Sequence, residues 1–439
     1  MEKENLIFTV YQILQFNINN TKIIFYRKFL TLIKLSIDLI YCIIFHNKKF
    51  TYFYFMYFLF RNSLDYNKKY YFLVKLILND KSKTSINEIL KKSYKIKDFR
   101  ELSKLNLNKR ELLDNFVNFQ IKPYQIKNIY DYFLNQDSLI YAQYFRELYI
   151  NSLIAEMNKS KYLFDNNLIS YFEINSALDT LKIIKKSNLK YTSKKLLSEI
   201  SAICHLISDD KDSAYKLWQK NFNQNDFQYL DYIKGKNIAV VGPAPTEEFS
   251  GSEIDGFDVI IRPIFTSTEK FDQKKFGKRT DVSYYNYGFI INCYEALVLS
   301  SKKLKWVNLK PHKLKKKKLL YNSRIFNIVD TIYLSGDGNS IPNIVFDLLR
   351  FEPNAIKLFS STLYLGKKTF AEDFSNTYPS RGLKNKYLFK NIRKHDPLSQ
   401  FNFLKKGFVN KLFETDINTS KTLKLTCNQY VSELMKLIE

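Results

Sequence analysis

Lys234-Gly235-Lys236-Asn237-Ile238-Ala239-Val240-Val241-Gly242 marks a change in the texture of this chain. The long tract before it holds almost no glycine and very little proline, which argues against many tight turns and strands. At the junction a short apolar, β-branched run closes on a glycine, the pattern of a strand buried on both faces in a parallel sheet. Similar runs follow at Phe257–Arg262, Asp281–Tyr285, Trp306–Leu309, Thr331–Leu334 and Ile356–Ser360, with helical patterns between several of them. Strands alternating with helices imply an α/β fold: an open, mostly parallel, Rossmann-like sheet with helices on both faces. The reading divides the chain into a helical N-terminal region, 1–234, of one subdomain or two, and an α/β domain, 235–439.

Upstream, apolar residues recur at helical spacing, as at Leu112, Leu113, Phe116, Val117 and Phe119. Lys194–Leu206 and Asp212–Phe222 read as two helices joined by Ser208–Lys211, with Ala214, Leu217 and Trp218 on one face. The pair loosely resembles a helical-hairpin repeat, without a clean period. Asp210 and Asp212 have a spacing that can hold a metal, but their place between two helices reads as a helix cap.

The chain has 439 residues, enough for two or three domains, and 45% of them are apolar. Its formal net charge of +26 predicts attraction to polyanions: nucleic acid, anionic lipid or acidic glycans. No Arg-rich tract, zinc-finger spacing or other nucleic-acid module stands out, so no nucleic-acid partner is expected. Cys42, Cys204, Cys293 and Cys427 lie far apart with no CxxC pair, which disfavours zinc and fits a reducing cytoplasm. The opening MEKENLIFTVYQ does not read as a signal peptide. Phe29–Phe45 is interrupted by Lys34 and Asp38, and Thr51–Phe60 is about half the roughly 20 residues that a spanning helix needs. Both read as buried helices, with contact at a membrane interface as the second reading.

Val241-Gly242-Pro243-Ala244-Pro245 ends the first strand, at the edge where open α/β sheets bind nucleotides. It is not a G-x-G-x-x-G turn, which disfavours a dinucleotide. Further on come Gly251-Ser-Glu253-Ile254-Asp255-Gly-Phe257-Asp258-Val-Ile-Ile-Arg262 and Gly277-Lys278-Arg279-Thr280-Asp281. Together with the first strand, this order resembles the large sialyl motif of family 29 sialyltransferases and their bacterial relatives. The resemblance implies that Gly242, Pro243, Ala244 and Arg262 lie near the nucleotide of a CMP-sugar, with Gly277–Thr280 on the neighbouring turn. Pro243 and Ile264 stand where that family usually has asparagine.

A second constellation is Gly338-Asn339-Ser340-Ile341-Pro342, in which Ser340 with Pro342 signals a helix start. Such an end holds a carboxylate or phosphate without a metal. The order of a helix opening at Ser340, a strand at Ile356–Ser360, then Tyr364 and His395 resembles the bacterial family 42 sialyltransferases. By that resemblance Asn339 and Ser340 face the donor sugar's carboxylate, Tyr364 donates to the leaving phosphate, and His395 is the general base. Imidazole titrates near neutrality and suits that role. Of the other histidines, His46 sits beside a lysine pair, His205 on an apolar helix face, and His312 in the basic run Lys310–Lys318. That run reads as a solvated loop or as an attractor for acidic glycans or anionic lipid headgroups.

The resemblance therefore implies an inverting glycosyltransferase of GT-A-like sialyltransferase type that moves a sialic-acid-like sugar from a CMP-activated donor. The acceptor is a cell-surface glycan of capsule or lipopolysaccharide, free or lipid-linked. The donor is CMP-sialic acid or CMP-Kdo, and no cofactor or metal is required. The protein is expected in a bacterial cytoplasm, peripheral to the anionic inner face of the membrane. Two alternatives accompany it: a CMP-Kdo-dependent transferase, and a non-catalytic helical scaffold carrying a degenerate transferase domain.

Overall fold

A computed structural model describes residues 123–135, 139–160, 162–266, 271–310, 322–326, 332–334, 338–366, 371 and 395–438. All of them belong to one compact unit, Ser93–Glu439. The apolar stretches at 29–45 and 51–60, the helical pattern at 112–119, His46, His312 and all of the basic run after Lys310 lie outside the described residues.

The described residues before Lys234 are mainly helical, with one β-bridge between Tyr162 and Asn188: α1 Pro123–Asn135, α2 Leu139–Lys159, α3 Asp165–Ile174, α4 Ala177–Lys186, α5 Lys194–Ile207, α6 Lys211–Gln219 and α7 Gln224–Ile233. Short polar side chains start them by accepting otherwise unpaired backbone N–H groups. Ser176 accepts from the N–H of Asp179, and Asn223 with Asp226 forms a reciprocal capping box at the start of α7. Asp210 caps α6, accepting from the Ser213 N–H at 3.2 Å, so half of the Asp210/Asp212 pair is committed to a helix start. His205 does not sit in the core as its apolar helix face suggests: it is half-exposed, and its Nδ1 lies 2.9 Å from Asp210. α2 is apolar nearly all round and is buried on all sides near its start, as befits a central helix.

The α/β part follows as β1 Asn237–Val241, α8 Gly251–Asp255, β2 Val259–Pro263, α9 Gln273–Phe276, β3 Val282–Tyr285, α10 Tyr287–Asn292, α11 Tyr294–Ser301, β4 Trp306–Leu309, β5 Ser323–Ile325, α12 Ser340–Leu349, β6 Ala355–Phe359, α13 Pro397–Val409, β7 Glu414–Thr415, α14 Ile417–Lys424 and α15 Cys427–Ile438. The seven strands form one sheet in the order β5-β4-β3-β2-β1-β6-β7, every neighbouring pair parallel. The arrangement is α/β and Rossmann-like. Ile332–Leu334, read from sequence as part of a strand, is buried but irregular; Thr331 lies outside the described residues. β5 and β7 were not legible as strands, because β5 is short with Arg324 at its centre and β7 is only Glu414–Thr415.

Alternation along the strands separates two buried faces. One carries Ala239, Val241, Ile260 and Phe359 against Ile254 of α8 and Phe276 of α9; Tyr285, Val307 and Leu309 continue it against α10 and α11. The other face holds a row that runs straight across three strands, Tyr284, Asn308 and Arg324, which are register partners in turn. Arg324 is fully buried and grips Asp347 of α12 with both guanidinium ends, at 2.6 and 3.1 Å. Its Nε donates to Asp226 of α7 at 3.0 Å, and its plane stacks on Tyr229 and Phe351. Tyr284 adds a 2.8 Å bond to Asp347. A cation this deep requires paired carboxylates and filled hydrogen bonds, and here two helices supply them. α7, in sequence the last helix before β1, is thereby bolted to the sheet.

Candidate functional site

Strand order reverses between β1 and β6: β2 follows β1 on one side, while the chain reaches β6 on the other. In open α/β sheets the crevice at the carboxyl ends of such a strand pair is where ligands bind. Here β1 runs into Gly242–Ser250 and β6 into Ser360–Gly366. A cleft of 390 Å³ lies between these loops and α14, with Thr246, Glu247, Thr362 and the exposed Lys421 among its lining.

The two loops touch closely at their base. Gly242 N–H donates to Phe359 O at 2.8 Å and Ala244 N–H to Ser360 O at 3.1 Å. A Cβ built on Gly242 would stand 2.3 Å from the Ser360 carbonyl oxygen. The glycine is thus demanded by the approach of β6, and backbone fills the space that a ligand would use. Asp416, which caps α14, accepts from the Ser360 N–H at 2.6 Å, and Thr419 accepts from the Ser361 N–H at 3.1 Å.

Backbone strain concentrates on this edge. Ser360, Leu363 and Tyr364 have φ of 50°, 49° and 72°, and Ile264 beyond β2 has 52°. For a β-branched or aromatic residue such φ values are outliers that surrounding bonds must sustain, and they gather at functional sites. Tyr430 holds one end of the β6 turn, its hydroxyl donating to Leu363 O at 2.7 Å. Asn339 holds the other, its Nδ2 donating to the Tyr364 hydroxyl oxygen at 2.7 Å. Burial pushes the Tyr364 phenol well above its ordinary range, and the bond from Asn339 offsets this in part.

Asn339, not Ser340, is the cap of α12: its Oδ1 accepts from the Ser340 N–H at 2.7 Å, which makes Ser340 the first helical residue. The Asn339 N–H donates to Oε1 of Gln400 at 2.9 Å, and Gln400 Nε2 donates to the Asp396 carbonyl at 3.3 Å. A bonded chain therefore runs Tyr364, Asn339, Gln400, Asp396 and ends beside the half-buried His395. Four of the residues singled out from sequence, Asn339, Ser340, Tyr364 and His395, fall at one end of α12 and α13.

Arg262 falls elsewhere. It lies on the α8/α9 face of the sheet, whereas α12 covers the other. It is fully buried, and its Nε donates to Thr280 at 2.9 Å while its NH2 donates to the carbonyls of Phe276 and Arg279. The rest of that motif is likewise bonded within itself. The Asp255 carboxylate takes the N–H groups of Lys278 and Arg279, Asp258 takes that of Asn237, and Asp281 takes that of Ile260. Gly251 admits the carbonyl of Gln273, and Gly277 adopts φ 76° against Asp255. These residues brace β1, β2 and the turn before β3.

Gln400, Tyr430, Asp416 and Lys421 were not found from sequence. Asp396-Pro397 and Asp416-Ile417 are cap signals that could have located the two helix starts, but not what the starts would meet. Among the described residues no group of three His, Cys, Asp or Glu side chains could hold a metal ion, and no helix is long and apolar enough to cross a membrane. No protein-family model matches the chain, and none of the curated proteins does.

Proposed function

We propose that the chain is a glycosyltransferase of the GT-A-like sialyltransferase type, moving a sialic-acid-like sugar, or Kdo, from its CMP ester to a cell-surface glycan. The observation that carries this reading is the Asn339–Tyr364 bond in the turn that follows β6, with Gln400 linking it to the turn that holds His395. In the proposed reaction the acceptor hydroxyl oxygen bonds to the anomeric carbon as its proton passes to the His395 imidazole. The anomeric bond to phosphate breaks, and CMP leaves with the electron pair. The Tyr364 oxygen is occupied as an acceptor by Asn339, so its own O–H proton is left to donate to the departing phosphate. The raised phenol keeps that proton at all physiological pH. Ser340 gives its N–H to Asn339 and Pro342 has none, so it is the positive dipole end of α12, rather than a row of free N–H groups, that suits the sugar carboxylate, and Lys421 adds positive charge at the cleft. This chemistry calls for no metal. The net charge of +26 and the basic sequence Lys310–Lys318 favour an acidic or lipid-linked acceptor at an anionic membrane surface over nucleic acid.

A non-catalytic scaffold is the second reading. What favours it is that Arg262 Nε and Nη2 and the carboxylates of the motif around it bond within the fold, with Pro243 and Ile264 in place of asparagine. The deciding experiment offers CMP-sialic acid and CMP-Kdo separately with a glycan-extract acceptor and measures CMP release. Release by the native protein, lost in a folded His395→Ala variant, supports the transferase and its base. No release with either donor sinks the enzyme reading, and CMP binding without turnover identifies the scaffold.

A further inference from the structure

The helices before β1 have no part in the proposed reaction, yet their side chains reach the turn that carries its base. Asp396 follows His395, caps α13, is fully buried and has a left-handed backbone with φ 32°. Its Oδ1 accepts from the Tyr130 hydroxyl of α1 at 2.8 Å and from the Ser399 N–H at 3.1 Å, and its Oδ2 accepts from the Ser399 hydroxyl at 2.6 Å. That hydroxyl in turn accepts from Arg146 of α2 at 2.9 Å. Arg146 is held by Glu173 of α3 through two parallel bonds of 2.6 and 2.5 Å, and Asn402 of α13 closes the ring on Glu173 at 2.8 Å. A helix cap needs only the Ser399 N–H. The further partners come from a distant part of the chain and sustain a backbone conformation that aspartate alone would not favour.

We infer that Tyr130 and Arg146 are positioning residues for His395: the helical part locks Asp396, and with it the adjoining histidine, into one arrangement at the end of the bonded chain that runs from Tyr364 through Asn339 and Gln400. The catalytic sense of this rests on the transferase reading; the geometric sense does not. Gln400 fixes the same turn from the α12 side, so the turn is gripped from both directions. A general base displaced by a fraction of an ångström loses much of its rate advantage while substrate binding is hardly touched.

The test uses the full chain and Tyr130→Phe, which deletes one hydroxyl and keeps the ring. Tyr229→Phe serves as control, because it deletes an equally buried hydroxyl in the Arg324 cluster. Two quantities are measured in folded protein: the side-chain imidazole NMR signal of His395, assigned by its loss in His395→Gln, and the kinetics of CMP release. Tyr130→Phe is expected to shift or broaden the His395 signal and to lower kcat roughly tenfold, with the KM for donor within about twofold. Tyr229→Phe is expected to change neither. A His395 signal unchanged by Tyr130→Phe, or moved equally by both variants, overturns the inference. Should the native protein release no CMP, the transferase reading fails, and the imidazole signal alone still decides whether the helices position this histidine.

Discussion

The side-chain amide of Asn339 donates to the hydroxyl oxygen of Tyr364 across 2.7 Å, tying the start of α12 to a tyrosine held at φ 72° beyond β6. An aromatic residue in that conformation persists because both ends of its turn are pinned, by Asn339 on one side and by Tyr430 on Leu363 on the other. In the proposed reaction the bond also sets which way the phenol proton points. Tyr364→Phe is therefore expected to lower kcat for CMP release roughly a hundredfold, the usual loss for one donor to a developing charge, with donor KM changed little. Single-turnover CMP release measures it. A Tyr364→Phe enzyme as fast as native would remove the phenol from the mechanism.

Pro243 and Ile264 stand where the resembled family carries asparagine. The backbone at Ile264 is left-handed, φ 52°, a conformation that asparagine adopts far more readily than a β-branched residue. Pro243→Asn/Ile264→Asn is expected to fold and, on the transferase reading, to tighten CMP binding roughly three- to tenfold, in line with one or two added hydrogen bonds. Calorimetric titration with CMP gives the answer, and unaltered affinity would argue that the nucleotide does not lie along this edge.

The Arg324–Asp347 pair is fully buried on both sides. Removing one member leaves the other a buried charge stripped of its main partner, with only Asp226 on Arg324 or Arg350 and Tyr284 on Asp347, so Arg324→Met and Asp347→Leu are each expected to cost about 3 kcal/mol. The double replacement is expected to cost less than either single change. Urea unfolding of the three variants tests this, and additive losses would contradict it.

Tyr130, Tyr284 and Tyr430 share with Tyr364 a phenol that burial pushes well above its ordinary value of 10.0. Each holds its proton more tightly folded than unfolded. As pH climbs past 10 the unfolded chain ionises first, so their contribution to stability is whole below that value and is lost as pH rises towards the folded-state values. Unfolding midpoints are expected to stay flat on this account up to about 10 and to fall steeply above it. Phenolate absorbance should show these tyrosines ionising only together with unfolding.

The sheet was legible where its strands are apolar. Asn237–Val241, Trp306–Leu309 and the strand centred on Ile356–Phe359 stand out because a strand buried on both faces has little room for polar residues. β5 was hidden because Arg324, at its centre, is charged, and only the fold supplies the carboxylates that let it be buried. Of the candidate site, Asn339, Tyr364 and His395 were singled out through the resemblance to the order of elements in family 42, with the helix start at Ser340 the part the residues themselves signal. Gln400 could not, because a mid-helix glutamine has no signature until its partner on α12 is known. Arg262 and its motif were read as ligand-facing, yet their visible bonds serve the fold.

The Tyr130–Asp396 bond spans 266 residues of chain. During synthesis α1 and α2 leave the ribosome on the order of tens of seconds before Asp396 exists. Arg146 can find Glu173 within that interval, because both belong to the early helices. The His395 turn cannot be set until the last part of the chain has come back to them. Strands β1–β6 can thus assemble around an incomplete centre, and the turn beside the histidine on which the proposed activity depends is set only afterwards.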